Sequence, residues 1–468
     1  MKERTIVSNK ELERQNDFAM EIFSRIGPLH RTYFVETFGC QMNVRDSETM
    51  KGWFAKMGMT QSDRKESADL ILYNTCCIRD HAEKRLMGNI GALKEWKEAD
   101  PSRILCISGC MMQQEGVAKK MLQRFPHVDL TFGPHVLHRL PEMILRVLNG
   151  ERVFLIEEAG FPVCEGLYSV RDNPRSAFVN ITFGCDNFCS YCIVPYVRGR
   201  ERSRLMEDIA AEVESLCSSG ITEITLLGQN VNSYGKDLED ASFAKLLYRL
   251  NGTEGLKRLR FMTSHPKDLN DDVIEAIATN NRVCHHVHLP VQSGDNAILK
   301  RMNRKYTREQ YLSIVEKLRS KVPDIEFTTD IIVGFPGETE EQFQNTLSLV
   351  EEVGFASAFT FAYSPRKGTV AASMEEQVPE PVKKERLKRL NALQAQKTVQ
   401  NNASYVGHVG EVLIEGYDSR GGKTVLFGKY ANFKMVYFEG DASLLNHYVT
   451  VRVTKTNKNS LMGEQIHA

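Results

Sequence analysis

The sequence predicts an α/β protein with an N-terminal parallel-sheet α/β domain, a central partial barrel of six strand–helix units, and a small C-terminal all-β barrel. Two observations lead to this prediction. Apolar, strand-like runs alternate with helical patterns over residues 31–146 and again over residues 173–402. Over residues 403–468, β-branched and aromatic residues instead alternate between glycine-bearing turns.

Length and composition exclude a small single-module protein. With 468 residues, 42% of them hydrophobic, the chain is long enough for about three domains with separate cores. Sixty Lys and Arg balance sixty Asp and Glu, so any nucleic-acid affinity has to come from local patches. The sequence has no apolar run of about 18 residues, and its first residues are charged, so we expect a cytosolic protein. Eleven cysteines in that reducing compartment indicate metal binding or catalysis.

The N-terminal part begins with a polar stretch, residues 1–30, in which we expect a loosely ordered extension. The domain over residues 31–146 follows, with predicted strands at RTYFVETFG, ADLILYN, SRILCISG and VDLTFG. Helical patterns separate these strands, as is typical of a parallel sheet. A linker of mixed polarity over residues 147–172 ends this part of the chain.

The central part, residues 173–402, repeats the strand–helix alternation. Its predicted strands are SAFVNIT, ITEITLLG, LKRLRFMT, HHVHLPV, IEFTTDIIV and ASAFTFAY. These six units predict a partial barrel, which the charged helix VKKERLKRLNALQAQKTVQ completes. Residues 403–468 then form the small all-β barrel.

The most specific motif is a loop of three cysteines after the first strand of the predicted partial barrel. In GCDNFCSYC, Cys185, Cys189 and Cys192 have a C-x3-C-x2-C spacing that brings three thiolates to one metal centre. Soft thiolates favour zinc or an iron–sulfur cluster. A structural zinc ion takes four ligands, and no fourth Cys or His lies nearby in the sequence. A cubane cluster on three cysteines leaves one iron open for an outside ligand.

Three further cysteines share one position relative to the predicted strands. Cys40, Cys76 and Cys110 each follow the end of a strand in the N-terminal domain. Because the carboxyl ends of parallel strands lie along one edge of a sheet, these thiolates are placed to converge on a second cluster. The alternative is that they are structural cysteines, since free Cys is among the most often buried residues.

These motifs resemble those of a known enzyme family. The three-cysteine loop, with Tyr191 before its last cysteine, is similar to the signature of the radical S-adenosylmethionine superfamily, and ETFGCQMN and NTCCIR resemble the N-terminal domain of its methylthiotransferases. The resemblance implies two 4Fe-4S clusters and favours Cys76 over its neighbour Cys77, which stands at a variable position of the motif. The implied ligands are Cys40, Cys76 and Cys110 for an auxiliary cluster and Cys185, Cys189 and Cys192 for the radical cluster.

Longer motifs point to the tRNA-modifying branch of these methylthiotransferases. LLGQNVNSYG, HLPVQSGD, TDIIVGFPGET and FTFAYSPRKGT resemble that branch, with Asp295 as a small departure. The resemblance implies methylthiolation of carbon 2 of isopentenyl-adenosine next to the anticodon of tRNA. S-adenosylmethionine would be methyl donor and radical source, the auxiliary cluster would supply sulfur, and flavodoxin or ferredoxin would supply electrons. Related branches act on threonylcarbamoyladenosine or on a ribosomal-protein aspartate, and a zinc-stabilised RNA-binding protein is the non-catalytic alternative.

Candidate S-adenosylmethionine contacts lie where barrel enzymes place their sites, at the carboxyl ends of the strands. Analogy with the superfamily suggests Gln229 for the methionine amine, Ser293 for the ribose and the Tyr191 backbone for the adenine. A structural hydrogen bond is the alternative role for each polar side chain. The full set of candidates is Tyr191, Gln229, Asn230, Ser293 and Asp330.

Two regions are candidates for contact with RNA. The terminal barrel resembles a TRAM domain, with aromatic residues available for base stacking at Phe427, Tyr430 and Phe433. The second region is a basic cluster that either grips phosphates or forms ion pairs, and it comprises Arg198, Arg200, Arg202 and Arg204. Because all six cluster cysteines precede residue 200, we expect the radical site to assemble without the terminal barrel.

Overall fold

The computed structural model describes residues 6–77, 80–114, 116–157 and 162–466. The chain forms two compact units. The first comprises Met1–Asn173, Asn180–Asp186 and Ile193–Arg204, and the second comprises Pro174–Val179, Asn187–Cys192 and Leu205–Ala468. None of the described helices has the length and apolar character that a membrane span requires.

A parallel sheet forms the centre of the first unit. Its strands are β1 (Thr32–Thr37), β2 (Thr60–Gln61), β3 (Leu70–Thr75), β4 (Ile104–Gly109), β5 (Leu130–Phe132) and β6 (Val153–Leu155). They lie in the order β2-β1-β3-β4-β5-β6, and every pairing is parallel. All residues of β3 and β4 are buried, which explains why these strands are nearly continuous apolar runs. The predicted parallel-sheet α/β domain is confirmed.

Helices cover both faces of this sheet. They are α1 (Asn9–Ile26), α2 (Gln41–Lys56), α3 (Asp80–Ala92), α4 (Lys94–Ala99), α5 (Val117–Arg124) and α6 (Leu140–Leu148). Alternate residues of β3 enter different cores because successive side chains of a strand point to opposite faces. Leu70 and Leu72 pack with residues of α1, α2 and α6, whereas Ile71 and Tyr73 pack with residues of α3 and α5.

The first residues of the chain differ from the prediction of a loosely ordered extension. Residues 9–26 form the helix α1, which Ser8 caps by accepting a hydrogen bond from the amide of Glu11. Ala19, Ile22 and Ile26 are buried in the core of the first unit. The many charged residues on the other faces of the helix obscure the helical spacing of these three buried residues. The segment is therefore part of the packed domain.

Short elements occupy the region where the chain passes between the two units. They are β7 (Ser176–Asn180), β8 (Thr182–Phe183), α7 (Val194–Val197) and β9 (Arg202–Ser203). Strands β8 and β9 pair with each other in antiparallel fashion within the first unit. The three-cysteine loop lies between β8 and α7.

The second unit contains the rest of the predicted partial barrel. Its further elements are α8 (Met206–Ser218), β10 (Glu223–Leu227), α9 (Phe243–Asn251), β11 (Arg258–Phe261), α10 (Asp271–Thr279), β12 (His286–His288), α11 (Asn296–Arg301), α12 (Arg308–Lys321), β13 (Glu326–Val333), α13 (Glu340–Val353), β14 (Ser357–Ala362) and α14 (Glu380–Ala403). The six strands form two sheets, β11-β10-β7 and β12-β13-β14. An isolated parallel bridge between Leu259 and Val283 joins them, as the predicted partial barrel requires.

The C-terminal segment of the second unit is the predicted small all-β barrel, and five strands close it. They are β15 (Val409–Arg420), β16 (Lys423–Lys429), β17 (Met435–Glu439), β18 (Tyr448–Thr456) and β19 (Leu461–Gln465), in the order β15-β16-β17-β19-β18. Alternate residues of each strand fill its interior, including Val412, Leu426 and Val451. We call this segment the terminal barrel.

Candidate functional site

The three dispersed cysteines of the first unit lie at one edge of its sheet. Cys40 is the N-cap residue of α2 and follows β1, Cys76 follows β3, and Cys110 follows β4. The side chain of Asn43 ties this edge together by donating to the carbonyl of Phe38 at 2.8 Å and to that of Thr75 at 2.9 Å. The strand order therefore brings these residues to the carboxyl edge.

The thiols at this edge are close neighbours. Gly39 has a φ of +112°, and a Cβ atom built on it would lie 2.9 Å from the Sγ atom of Cys76. Cys77 forms a hydrogen bond with Cys110, and the charge of Cys110 acts on Cys40. The structure thus brings together Cys40, Cys76 and Cys110, and it brings Cys77 with them.

A buried arginine contacts one of these sulfur atoms. Arg198, which is 4% exposed, donates from Nε to Cys110 Sγ at 3.0 Å and from Nη2 to Asn43 Oδ1 at 2.9 Å and Asp46 Oδ2 at 2.7 Å. The hydrogen bond with Cys77 and the charge of Arg198 lower the pKa of Cys110 to about 6, against the effect of burial. Arg198 is therefore a cationic partner for a thiolate at this edge.

The chemistry of this edge fits an iron–sulfur cluster. Its cysteines offer soft sulfur ligands and a nearby cation, which such clusters use. The glycine at position 39 leaves beside Cys76 the space that a Cβ atom would fill. Among the residues that the structure describes, no group of three or more His, Cys, Asp or Glu side chains is arranged to hold a single metal ion.

The loop of the C-x3-C-x2-C motif begins in the first unit. Its backbone turns sharply at Gly184, where φ is +70° and a Cβ atom would lie 2.1 Å from the carbonyl oxygen of Arg200. The amide of Cys185 donates to the carbonyl of Gly199 at 3.1 Å. Cys185 is consequently held, largely buried, against the segment that follows the loop.

The remainder of the loop, residues 187–192, lies in the second unit and is fixed by the turn after α11. Asn303 donates from Nδ2 to the carbonyls of Asn187 at 3.3 Å and Phe188 at 2.8 Å. Ser190 donates from its amide to Met302 at 3.0 Å and from its hydroxyl to Arg301 at 2.8 Å. These bonds set the position of Cys189 and Cys192 through the backbone between them.

A second buried arginine contacts this loop. Arg304 donates from Nη1 to Cys189 Sγ at 3.3 Å, from Nη2 to the carbonyl of Pro290 at 2.9 Å and from Nε to the hydroxyl of Tyr306 at 3.0 Å. Tyr191 packs against the same apolar cluster of this unit as Ile332 of β13. Each candidate cysteine set thus has one sulfur atom that accepts a hydrogen bond from a buried guanidinium.

Neither arginine can be identified as a partner of a thiol from the sequence. Arg198 belongs to the predicted basic cluster, and the spacing of RMNRKYT does not distinguish Arg304 as a functional residue. A clue is the position of Arg198, only six residues after the last cysteine of a metal-binding loop. Its contact with Cys110 depends on the fold and cannot be derived from spacing.

The candidate cofactor contacts have different surroundings. Asn230 is 1% exposed and donates to Asp268 Oδ2 at 2.6 Å. Ser293 is fully buried, and its hydroxyl lies 3.4 Å from that of Thr346. Gln229 follows β10 and, like Asp330 of β13, is partly exposed. The Nδ2 atom of Asn230 and the hydroxyl of Ser293 thus engage protein partners, whereas Asn230 Oδ1 is buried without a hydrogen-bond partner among the described residues.

The four arginines after the loop do not form one basic patch. Arg198 is buried, and Arg204, also buried, donates to both carboxylate oxygens of Glu165. Arg200 is exposed and lies 3.3 Å from Asp186. Ion pairing, the alternative to phosphate binding, accounts for most of this cluster.

Two of the three aromatic residues proposed for base stacking are engaged within the protein. Tyr430 is 2% exposed and donates to the carbonyl of Val451, and Phe433 stacks on His286 of β12 with ring centres 4.9 Å apart. Phe427 lies beside Tyr437 on β17, with 5.7 Å between ring centres. The expectation for Tyr430 and Phe433 is wrong because the terminal barrel uses them for its own core and for docking.

Three protein-family models match separate parts of the chain. The model described as "Uncharacterized protein family UPF0004" matches residues 32–133, that of the Radical SAM superfamily matches residues 179–350, and that of the TRAM domain matches residues 403–466. In order, they fall on the parallel sheet, the partial barrel and the terminal barrel. The matches therefore follow the architecture described above.

The chain is also similar over its length to curated proteins named tRNA-2-methylthio-N(6)-dimethylallyladenosine synthase. It is 49% identical to that of Thermoanaerobacter pseudethanolicus over 98% of each chain, and 51% identical to that of Clostridium botulinum (strain Langeland) over 93% of this chain and 97% of the other. A solved structure of the radical S-adenosylmethionine methyltransferase TsrM from Kitasatospora setae has a TM-score of 0.53 at 14% identity, covers 73% of this chain and 74% of that one, and supports the fold alone. The chain therefore belongs to the radical S-adenosylmethionine family of tRNA-2-methylthio-N(6)-dimethylallyladenosine synthases.

Proposed function

We propose that this chain attaches a methylthio group to carbon 2 of N6-dimethylallyladenosine (isopentenyl-adenosine), next to the anticodon of tRNA. Carbon 2 carries no leaving group, so ordinary acid–base catalysis does not activate it. When bound, S-adenosylmethionine and the two 4Fe-4S clusters supply the radical, methyl and sulfur chemistry that the protein itself lacks. The residues of the chain would hold these groups.

The observation that carries the proposal is the presence of two cysteine sets, each paired with a buried arginine. Arg198 contacts Cys110 and Arg304 contacts Cys189, through N–S distances of 3.0 and 3.3 Å. A buried cation is costly unless a negative group lies beside it. Arg198 has the carboxylate of Asp46 as well as Cys110, whereas the described acceptors of Arg304 include no carboxylate, so a cysteine-ligated cluster would supply the negative group there. A single zinc site would account for one of the two cysteine sets and would leave the other set unexplained.

The two sets have different proposed tasks. The set with the C-x3-C-x2-C spacing would hold the radical cluster, to which S-adenosylmethionine would bind. The set at the strand edge holds the auxiliary cluster, and we assign Cys76 rather than Cys77 as its second ligand. The proposed ligands are Cys185, Cys189 and Cys192 for the radical cluster and Cys40, Cys76 and Cys110 for the auxiliary cluster.

S-adenosylmethionine is proposed to bind at the carboxyl ends of the barrel strands. Gln229, Asp330 and the backbone of Tyr191 are assigned direct contacts, because these residues are not fully buried. Asn230 and Ser293 are assigned to the same site. We infer that the hydroxyl of Ser293 and the Nδ2 atom of Asn230 fix the loops around the cofactor through Thr346 and Asp268, and that Asn230 Oδ1 is left for a cofactor contact.

Two further assignments follow from this activity. A reduced flavodoxin or ferredoxin is the proposed electron donor, because the radical step consumes one electron per cleavage. The proposed location is the cytoplasm, where tRNA is available as substrate. Neither assignment changes the residues of the site.

The proposal is tested by reaction in vitro. The protein is purified anaerobically, reconstituted with iron and sulfide, and incubated with S-adenosylmethionine, reductant and an anticodon stem-loop RNA that carries N6-dimethylallyladenosine. Nucleoside mass spectrometry is expected to show the 2-methylthio product. A Cys189→Ala variant is the matched control and is expected to form neither this product nor 5′-deoxyadenosine.

Other outcomes would assign the chain differently. A product only from threonylcarbamoyladenosine RNA, or only on a ribosomal protein, would move it to another branch of the methylthiotransferases. Zinc in place of iron in protein purified anaerobically would contradict the enzyme proposal. The same RNA without the dimethylallyl group tests whether that substituent is required.

A further inference from the structure

One face of the β12-β13-β14 sheet is open although the sheet is parallel. On β13, Thr328, Asp330 and Ile332 are partly exposed, whereas the alternate residues between them are buried. The β14 residues paired with Asp330 and Ile332 are Phe359 and Phe361. Their side chains are 52% and 38% exposed. These alternate residues of β13 and β14 point to the same side of the sheet. We call this exposed side the open sheet face.

The opposite face of the same sheet is covered in the usual way. Thr329, Ile331 and Val333 of β13 are fully buried, and Thr360 of β14 donates a hydrogen bond to Asn391 of α14 at 2.5 Å. Parallel sheets are normally covered on both faces. The open sheet face is thus a surface with two exposed phenylalanines beside Asp330 that the described helices of the second unit leave exposed.

The open sheet face adjoins the proposed radical site within the second unit. Ile332, paired with Phe361, packs against the same apolar cluster as Tyr191 of the cysteine loop. At the other side, the ring of Phe359 meets the ring of His288 edge-on at 6.1 Å. Asp330, a proposed cofactor contact, is the cross-strand partner of Phe359. A ligand lying on the two phenylalanines would therefore lie beside the residues assigned to S-adenosylmethionine.

We propose that Phe359 and Phe361 form the platform on which the substrate adenine and its N6-dimethylallyl group pack. This inference rests on the proposed function and deepens it. Aromatic side chains stack on base faces, and an apolar branched substituent is stabilised by the same surface. A phosphate group is a poor occupant, because the carboxylate of Asp330 shares this face with Phe359 and repels an anion.

The experiment compares the affinities of two anticodon stem-loop RNAs that differ only in the dimethylallyl group. Fluorescence anisotropy is measured for the reconstituted full chain, for Phe359→Ala and for Phe361→Ala. Each variant is expected to lose roughly tenfold of the preference for the modified RNA, because the dimethylallyl group loses its apolar contact with one ring. Phe154→Ala is the matched control, since this phenylalanine of β6 is 50% exposed and lies in the other unit.

Two further measurements keep the test decisive. Formation of 5′-deoxyadenosine without RNA is expected at the wild-type rate, which shows that the radical site is intact in each variant. Phe361→Leu keeps an apolar side chain without a ring, and we expect it to retain part of the preference for the modified RNA.

The two proposals fail in different ways. A wild-type enzyme that methylthiolates the modified RNA, together with variants that keep its full preference, would overturn the platform. A reconstituted wild-type enzyme that produces 5′-deoxyadenosine but no methylthiolated nucleoside from the modified RNA would overturn the proposed function, and the platform with it.

Discussion

Buried guanidinium groups lose their hydration, and this cost is offset only where hydrogen bonds and opposite charge replace the water. Arg198 has both, because Asp46 lies 2.7 Å from its Nη2 atom and Cys110 lies 3.0 Å from its Nε atom. In the part of the chain that the structure describes, Arg304 donates to the thiol of Cys189, the hydroxyl of Tyr306 and the carbonyl of Pro290, and none of these acceptors is a carboxylate. Its charge therefore has no carboxylate partner among these three groups.

Arg198 is expected to tune the auxiliary cluster. Its positive charge and N–H donor stabilise the more negative, reduced state, so Arg198→Met should lower the midpoint potential of that cluster. Removing this charged hydrogen bond also costs stability, about 2 kcal/mol. Potentiometric titration followed by electron paramagnetic resonance measures both clusters separately. Arg200→Met, an exposed position in the same segment, is the control and should leave both potentials unchanged.

The tandem cysteines give a second prediction. We expect Cys76→Ala to lose the auxiliary cluster, which is roughly half of the iron of two 4Fe-4S clusters, and to lose methylthio transfer. Reductive cleavage of S-adenosylmethionine should continue, because the radical cluster has its own ligands. Cys77→Ala should keep the iron, because we assign Cys77 a packing role beside Cys110, Ile193 and Val197. Iron analysis and 5′-deoxyadenosine yield check both variants, and the reverse pattern would reassign the ligand.

The turn between β1 and α2 places Cys40 beside Cys76, and it depends on Gly39. At a φ of +112°, an alanine is strained, and its Cβ atom would lie 2.6 Å from that of Cys76. Gly39→Ala should therefore cost about 1–3 kcal/mol of stability and reduce the iron content. Gly88→Ala is the control, because this glycine of α3 has no atom near its Cβ position. It should stabilise the protein by about 1 kcal/mol in thermal unfolding.

Elements with strong local patterns are predictable from the sequence, and contacts across the fold are not. The apolar runs of β3 and β4 identify central strands because both faces of these strands are buried. The helix α1 escapes prediction because charges outnumber its buried positions. Phe433 is expected from the sequence to be accessible to RNA, because the neighbouring residues do not indicate that it stacks on His286, 147 residues earlier.

The cysteine positions are predictable for a similar reason. Each dispersed cysteine follows a strand, and parallel topology alone brings such positions to one edge. The partner of each sulfur atom depends on a distant segment, as Arg198 and Cys110 show. Sequence patterns therefore indicate the ligand set and miss the charges that act on it.

At the scale of the second unit, the terminal barrel is tied to β11 by buried arginines. Arg258 donates to the carbonyls of Lys429 at 2.9 Å and Glu411 at 2.6 Å, and Arg260 donates to those of Ala431 and Tyr430. The radical site is expected to assemble without the terminal barrel, but these contacts show that β11 depends on that barrel for hydrogen-bond acceptors. Its removal would leave both guanidinium groups without these acceptors.

A truncation is therefore expected to destabilise the partial barrel. Deleting residues 403–468 should lower its free energy of unfolding by about 1–3 kcal/mol for each arginine that loses its acceptors. Thermal unfolding of the full and truncated chains measures this loss. Equal stability of the full and truncated chains would contradict the prediction.

Because truncation disturbs the partial barrel, the role of the terminal barrel in RNA binding is better tested by surface substitutions. The chain has no net charge, so tRNA phosphates have to meet local cations. On the terminal barrel, Lys455 and Lys458 are exposed near the turn between β18 and β19, whereas Lys423 and Lys429 each lie close to a glutamate. Lys455 and Lys458 are therefore the better candidates for phosphate contacts.

We predict that a Lys455→Gln, Lys458→Gln double variant binds tRNA more weakly at low salt and with a shallower salt dependence. If each lysine neutralises one phosphate, the slope of log affinity against log salt should fall by roughly 1.4–1.8. Affinity measured across a salt series, with iron content as a check of folding, tests this value. Arg200→Gln is the matched comparison in the other candidate region and should change the slope little, because Asp186 lies 3.3 Å from Arg200. An unchanged slope in the lysine variant together with a reduced slope in Arg200→Gln would place the RNA anchor beside the cysteine loop instead.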